Sequence, residues 1–170
     1  DPDASVAASI GATYGVAART LDEVLADPSI DAVVVAAPAK DHAVLAIAAL
    51  DAGKHVYVEK PLALTLADAE RVVERAAAAD RTLMVGHLLQ YHPAFLELRR
   101  LVGEGALGEL RYLYSNRLNL GKFRREENIL WSFAPHDISV ILLLLGRLPK
   151  SVTTAGESWL RKGVADVTMT

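Results

Sequence analysis

The sequence predicts an α/β protein in which a doubly wound parallel sheet is followed by part of a second, α+β domain. Three observations predict this fold class. A continuous apolar run without alternation occurs at 31–38, and further strand segments follow at 55–60 and 82–89. Such runs are typical of parallel strands that helices cover on both faces. Helical segments separate them, and beyond residue 90 the pattern alternates, as in half-exposed antiparallel strands.

Recognisable helix ends separate the apolar runs. Thr20 and Glu23 form a capping box, and Thr65 is placed to cap a later helix. Gly15 and Gly53 follow helical segments, where glycine is a common stop signal. The predicted helices of this part cover 4–14, 21–27, 41–53 and 66–80.

The run at 31–38 is expected to be the central strand of the parallel sheet. Right-handed crossovers bring the carboxyl ends of parallel strands to one edge, where open α/β sheets bind ligands. Pro38, Lys60 and the segment after Val85 are therefore expected to meet there. Lys60 places a cation directly after an apolar, β-branched strand.

The second part predicts a different architecture. A helix from Pro93 to Gly105 precedes an alternating strand at 108–120, and a buried helix over 136–145 follows Pro135. Further strands are predicted at 150–160 and 165–170, so that this part carries an open, mainly antiparallel sheet. We place the domain boundary near residue 90, between domains 1–90 and 91–170.

Composition excludes several classes of site and partner. The chain of 170 residues has a formal net charge of −3 and no cysteine. It gives no electrostatic reason to expect nucleic acid or an anionic membrane, and it excludes disulfides and thiolate metal sites. No H-E-x-x-H motif occurs, so no metal is expected. The longest apolar stretch, 138–146, is too short to span a bilayer and no signal peptide is visible, so a cytoplasmic location is expected.

Two passages resemble the Gfo/Idh/MocA oxidoreductases. "DAVVVAAPAKDHAVLAIAALDAGKHVYVEKPLAL" resembles the second half of their dinucleotide-binding domain, and "GHLLQYHPAFLELRRLVGEGALGELRYLYSNR" resembles the passage into their substrate domain. Glu59-Lys60-Pro61 after a strand, preceded by "AGKHV", is the most specific part of the match. The resemblance implies a Rossmann-type sheet that is incomplete at its N-terminus, because no G-x-G-x-x-G occurs, and a substrate domain that normally continues further.

The resemblance implies an NAD(P)-dependent dehydrogenase acting on a sugar or nucleotide sugar, with a UDP-N-acetylhexosamine as the expected substrate type. Alcohol oxidation needs a base for the hydroxyl proton and a cation to stabilise the developing alkoxide. Lys60 is implied beside the nicotinamide and the reacting hydroxyl, and His136 is implied as the general acid/base. The structural alternatives are a surface cation for Lys60 and a first-turn helix residue for His136.

Further site residues follow from the resemblance and from the polar pattern around His136. NAD is slightly favoured over NADP, since Asp1 matches an acidic position that repels a 2′-phosphate. Many relatives carry Asp where this chain has Ser132, which weakens an Asp-His pair. The predicted cofactor-binding residues are Asp1, Pro38, His42, Glu59, Lys60 and Pro61. The predicted substrate-binding residues are His92, Arg117, Asn119, Arg124, Trp131 and Asp137. Packing or solvent exposure is the alternative for Arg117, Asn119, Arg124 and Trp131. For Asp137 the alternative is a carboxylate that caps the helix, and His92 is ambiguous.

Two other functions remain open at this point. One is a glycoside hydrolase that uses NAD transiently, and the other is a ligand-sensing regulator of the same fold without catalysis. The presence of both Lys60 and His136 argues against the regulator. The resemblance also implies a homodimer or homotetramer.

Overall fold

A computed structural model describes residues 1–118 and 128–170. These residues form two compact units, 1–86 and 87–170. Each unit contains its own sheet, and each is described by itself.

The first unit alternates helices with strands. Its elements are α1 (Ala4–Tyr14), α2 (Leu21–Ala26), β1 (Ala32–Val35), α3 (His42–Asp51), β2 (His55–Val58), α4 (Leu66–Ala79) and β3 (Leu83–Val85). A short 3₁₀ turn, Ala39–Asp41, precedes α3. The predicted helices are confirmed within one or two residues at their ends.

The three strands form a parallel sheet in the order β1-β2-β3. Val33 pairs with Val56, which pairs with Leu83, and the register continues to the carboxyl ends of the strands. Each strand is joined to the next through a helix, as a Rossmann-type sheet requires. The predicted fold class of this unit is confirmed.

The core lies between the sheet and the crossover helices α3 and α4. Because side chains alternate along a strand, only every second residue faces these helices. Leu50 of α3 and Val72 of α4 are at most 1% exposed, as is Val58 of β2. The buried cluster comprises Val35, Ala46, Ala49, Leu50, Val56, Val58, Val72 and Ala76.

The opposite face of the sheet is open within this unit. Val34 is 68% exposed and Met84 is 37% exposed. Among the described residues β2 is the middle strand and β1 lies at the edge, so the expectation of a central β1 covered on both faces is wrong for this unit. The reason is topological: two right-handed crossovers in the same direction put α3 and α4 on one face.

Local capping explains why these helices begin where they do. The Thr20 hydroxyl accepts the Glu23 N–H at 3.2 Å, while the Glu23 carboxylate accepts the Thr20 N–H at 2.7 Å. Thr65 accepts the Asp68 N–H at 3.1 Å at the start of α4. Such caps each contribute about 1 kcal/mol to helix stability.

The second unit contains two helices and a small sheet. Its elements are a 3₁₀ turn Leu88–Tyr91, α5 (Pro93–Gly103), α6 (Ile129–Leu145), β4 (Ala155–Glu157) and β5 (Val167–Met169). The strands β4 and β5 pair antiparallel, with Gly156 opposite Thr168. Helix α6 packs against α5 and against the 3₁₀ turn.

Helix α6 begins earlier than predicted. Its N-cap is Asn128, whose side chain accepts the Trp131 N–H at 3.0 Å, and Pro135 lies inside the helix. The expected helix over 136–145 is therefore wrong at its start. Pro135 cannot donate to the carbonyl four residues before it, but a proline costs only that bond and a local clash when the turns on either side are stabilised by packing.

The predicted strand at 108–120 is not observed. Its described residues, 108–118, form no strand, and Tyr112, Tyr114 and Leu118 are more than three quarters exposed. Alternation alone does not make a strand, because the backbone N–H and C=O groups need a neighbouring strand to pair with. No helix among the described residues has the length and apolar character needed to cross a membrane.

Candidate active site

The carboxyl ends of the three parallel strands are tied together by main-chain hydrogen bonds. The Glu59 N–H donates to the Val35 carbonyl at 2.9 Å, and the Gly86 N–H donates to the Val58 carbonyl at 2.8 Å. The sheet register therefore extends one residue past the ends of β2 and β3. Glu59 and Gly86 are held at the edge where the sequence places its candidate chemistry.

Glu59, Lys60 and Pro61 form the turn that leaves β2. The Glu59 and Lys60 side chains are half-buried and Pro61 is buried. The Lys60–Pro61 peptide bond is cis. Lys60 thus lies one residue beyond the last paired position of β2 and directly before a buried proline.

Gly86 allows two polar side chains to approach the end of β3. A Cβ at this position would lie 2.7 Å from the Tyr57 hydroxyl oxygen and 3.0 Å from Glu59 Oε2. The first contact is closer than real Cβ atoms show, and the second is tighter than most of them. Sequence reasoning did not select Tyr57 or Gly86. A glycine directly after a short strand was the available signal, since such a glycine often marks a close approach.

Pro38 and His42 flank the 3₁₀ turn that follows β1. Pro38 is exposed at the N-cap of the turn. His42 is buried, and its two ring nitrogens contact backbone carbonyls: Nδ1 lies 2.7 Å from the Pro61 oxygen and Nε2 lies 2.8 Å from the Ala37 oxygen. The structure therefore brings Pro38, His42 and the Glu59–Pro61 turn to one edge. Cofactor contact by these residues stays a prediction.

In the second unit, the Asp137 carboxylate accepts two side-chain hydrogen bonds. It accepts the Ser115 hydroxyl at 2.7 Å and the Arg117 Nε–H at 2.6 Å. Two of the predicted substrate residues are thus joined as an ion pair. Because α6 begins at Ile129, Asp137 does not cap this helix, and the alternative that placed His136 in its first turn is also wrong.

His136 lies in the middle of α6 and is half-buried. Its backbone carbonyl accepts the Ser139 hydroxyl at 2.8 Å. Ser132, four residues earlier and therefore on the same side of the helix, is buried. The catalytic role of His136 stays a prediction.

The other predicted residues have local structural roles or lie elsewhere. His92 caps α5 by accepting the Ala94 N–H at 3.2 Å. Asp1 accepts the Asp3 N–H at 2.8 Å, and Trp131 is 39% exposed. Asn119 and Arg124 lie outside the described residues. In the part of the chain that the structure describes, no group of three or more His, Asp or Glu side chains could hold a metal ion.

Comparison with known proteins decides the family. The sequence model of the Gfo/Idh/MocA oxidoreductase family, described by its NAD-binding Rossmann fold, matches residues 1–87, which is just over half of the chain. The chain belongs to the Gfo/Idh/MocA oxidoreductase family. The resemblance carried by the Glu59-Lys60-Pro61 turn and the preceding strand is thereby confirmed.

Three members illustrate the range of this family. Inositol 2-dehydrogenase of Rhizobium meliloti is 31% identical over 95% of this chain and 51% of its own length. 4-Carboxy-2-hydroxymuconate-6-semialdehyde dehydrogenase of Sphingobium is 31% identical over 95% of this chain and 55% of its own length. The solved structure of UDP-N-acetylglucosamine 3-dehydrogenase of Acidithiobacillus ferrooxidans is 30% identical with a TM-score of 0.86, over 98% of this chain and 51% of that chain.

The chain spans about half the length of these Gfo/Idh/MocA relatives. Their names refer to different substrates, so family membership alone selects none of them. The similarity continues through the second unit, because the matches cover nearly all of this chain.

Proposed function

We propose that the protein is a dehydrogenase that transfers a hydride between a secondary alcohol of a sugar or nucleotide sugar and NAD(P). The observation that carries the proposal is the half-buried Lys60, placed by the Glu59–Pro61 turn at the carboxyl edge of a parallel sheet in a Gfo/Idh/MocA chain. Ligands of open α/β sheets bind at this edge. Dinucleotide binding is assigned to 1–90, and substrate binding and self-association to 91–170.

The residues at this edge fit the nicotinamide end of a dinucleotide. The Glu59 carboxylate is a hydrogen-bond acceptor suited to ribose hydroxyls, and the absence of a Cβ at Gly86 lets it lie against the end of β3. Pro38 and Pro61 supply apolar surface beside it. Asp1 is proposed to contact the adenosine ribose, which favours NAD, because a carboxylate repels a 2′-phosphate. When bound, the dinucleotide supplies the hydride acceptor.

Lys60 and His136 are proposed to divide the remaining chemistry. Oxidation of an alcohol to a ketone removes the hydroxyl proton as well as a hydride from carbon. His136 accepts that proton, since a neutral imidazole titrates near neutral pH. The Lys60 ammonium stabilises the negative charge that develops on the oxygen.

A UDP-N-acetylhexosamine is the proposed substrate type. The similarity to the UDP-N-acetylglucosamine enzyme, with its TM-score of 0.86 over 98% of this chain, supports this choice. His92, Arg117, Trp131 and Asp137 are proposed to bind substrate, as are Asn119 and Arg124. A homodimer or homotetramer in the cytoplasm is proposed for the protein.

The experiment is a substrate screen of the full-length protein with NAD or NADP. UDP-sugars, inositol and simple hexoses are supplied, and absorbance of the reduced nicotinamide is followed. Lys60→Ala and His136→Ala should each lower kcat by about 10² or more. The matched controls are Lys150→Ala and His55→Ala, which change exposed residues of the same types and should keep wild-type turnover.

Three outcomes would contradict parts of this proposal. Wild-type turnover in Lys60→Ala or His136→Ala would remove that residue from the site. Hydrolysis of an aryl glycoside without net cofactor reduction would instead identify the transient-redox hydrolase. Sugar binding without turnover under any condition would favour the regulator.

A further inference from the structure

The buried imidazole of His42 connects the loops that leave two neighbouring strands. His42 is the first residue of α3 and is only 2% exposed. Its Nδ1 lies 2.7 Å from the Pro61 carbonyl oxygen, 19 residues away in sequence, and its Nε2 lies 2.8 Å from the Ala37 carbonyl oxygen, five residues away. The ring therefore spans the distance between the end of β1 and the turn after β2.

These two carbonyls flank the main chain that positions Lys60. Pro61 directly follows Lys60 in the chain. Glu59, which directly precedes Lys60, donates its N–H to the Val35 carbonyl at 2.9 Å. Lys60 is thus tied to the chain leaving β1 on both sides: through Glu59 and Val35 on one, and through Pro61, the imidazole and Ala37 on the other. Loss of the His42 ring contacts would allow the Glu59–Pro61 turn to move, while the hydrogen bond between Glu59 and Val35 would keep the strands paired.

The geometry argues against a hydrogen bond from the His42 ring to the predicted dinucleotide. Both ring nitrogens already face a carbonyl at hydrogen-bond distance, so neither is left for a dinucleotide. Burial of a polar ring is unfavourable unless its polar atoms are hydrogen-bonded. A carbonyl accepts only from a ring N–H, so the neutral imidazole donates to one of the two carbonyls and the doubly protonated ring donates to both.

We propose that His42 is a positioning residue that holds Lys60 in place through the Pro61 and Ala37 carbonyls. The inference rests on the proposed function only in so far as Lys60 serves catalysis. The connection itself is a property of the fold and is testable without substrate.

Two conservative variants separate the two contacts. The amide nitrogen of asparagine takes the place of Nδ1, so His42→Asn keeps the Pro61 contact alone. The amide nitrogen of glutamine takes the place of Nε2, so His42→Gln keeps the Ala37 contact alone. Because Pro61 adjoins Lys60, His42→Gln should lower kcat by about tenfold or more, and His42→Asn should retain more activity. The KM for the dinucleotide should stay within about twofold of wild type in both variants.

His55 provides a matched control. Its ring accepts the Thr82 N–H at 2.9 Å, so it also joins a side chain to backbone, but at the opposite end of β2. His55→Gln should lower stability and leave kcat unchanged. Equal loss of kcat in the His42 and His55 variants would show a general effect of stability and would overturn the positioning role.

A labelling experiment tests the connection independently of activity. The folded wild type and variants are treated with an acetylating reagent, and modification of Lys60 relative to the exposed Lys150 is measured by mass spectrometry. The relative rate at Lys60 should change severalfold in His42→Gln and stay constant in His55→Gln. An unchanged rate in the folded His42→Gln variant would overturn the proposal. Changed labelling in a protein without dehydrogenase turnover would sustain the connection and refute the proposed function alone.

The wild-type protein offers a check that needs no variant. A ring N–H that donates to a buried carbonyl exchanges slowly with solvent and gives an observable imidazole signal in ¹H–¹⁵N NMR spectra. We expect such a signal from His42 at neutral pH. Fast exchange of every His42 ring proton would contradict the carbonyl contacts and the proposal with them.

Discussion

Gly86→Ala should change the activity of the protein much more than its stability. The added methyl group would meet three atoms, all of them in side chains: the Tyr57 hydroxyl oxygen at 2.7 Å, Glu59 Oε2 at 3.0 Å and Glu59 Cδ at 3.3 Å. Gly86 does not have a positive φ, so alanine meets no left-handed strain there. The backbone can stay in place while the two side chains move.

The expected stability change follows from these distances. The Tyr57 contact is 0.7 Å shorter, and the Glu59 Oε2 contact 0.4 Å shorter, than an ordinary contact of 3.4 Å. Shifts of this size at the tips of long side chains need rotations below the ~30° that costs 0.5–1.5 kcal/mol. The loss of chain entropy in the unfolded state offsets about 0.4–1 kcal/mol of that cost. The free energy of unfolding should therefore change by no more than about 1 kcal/mol.

The displaced Glu59 carboxylate lies next to Lys60, so catalysis should suffer. A misplacement of this kind is expected to lower kcat/KM by about tenfold. Urea unfolding followed by circular dichroism measures the stability, and reduced-nicotinamide absorbance measures the turnover. Gly86→Ala combined with Tyr57→Phe removes the oxygen at 2.7 Å and should recover part of the activity.

Gly103→Ala is the matched control, since nothing lies within 4 Å of its added Cβ and it ends α5. It should stabilise the protein by about 0.5–1 kcal/mol and leave turnover unchanged. Two results would refute the reasoning for Gly86. A loss above about 2 kcal/mol would mean that the backbone has to move. Wild-type turnover would mean that the placement of Glu59 does not matter for the reaction.

Two further predictions concern stability. Leu50→Ala should lower the free energy of unfolding by about 2–5 kcal/mol, because Leu50 lies in the core and is 1% exposed. The control Leu148→Ala, at a position 78% exposed, should change it by less than about 0.5 kcal/mol. Urea unfolding measures both changes, and similar losses in the two variants would contradict the assigned core. Hydrogen bonds from Ser29, together with Arg19, hold the pKa of the Asp27 carboxyl well below its ordinary value of 3.8. The contribution of Asp27 to stability is therefore complete above pH 3.8 and is lost progressively as the pH falls below 3.8. Thermal unfolding at pH 7 and pH 3 should therefore show a stability difference between wild type and Asp27→Asn that shrinks in acid, and a difference independent of pH would refute this cause.

The local elements of the fold were predictable because their signals are short in sequence. Thr20 and Thr65 satisfy N–H groups three residues ahead, so a cap is visible in the sequence itself. The strand β2 was predictable from its β-branched run and the glycine before it. The strand expected at 108–120 failed, because whether an alternating segment becomes a strand depends on a partner that the segment does not contain.

The sequence by itself determined the helices and parallel strands of the first unit, the position of Lys60 after β2, and, through the residues around it, the family. Only the tertiary structure decided which face of the sheet α3 and α4 cover. It also decided that His42 meets the carbonyls of Ala37 and Pro61, and that Gly86 makes room for Tyr57 and Glu59. The physical reason is distance along the chain: helix caps and strand patterns act within a few residues, whereas these contacts join atoms up to 29 residues apart that only the sheet register brings together.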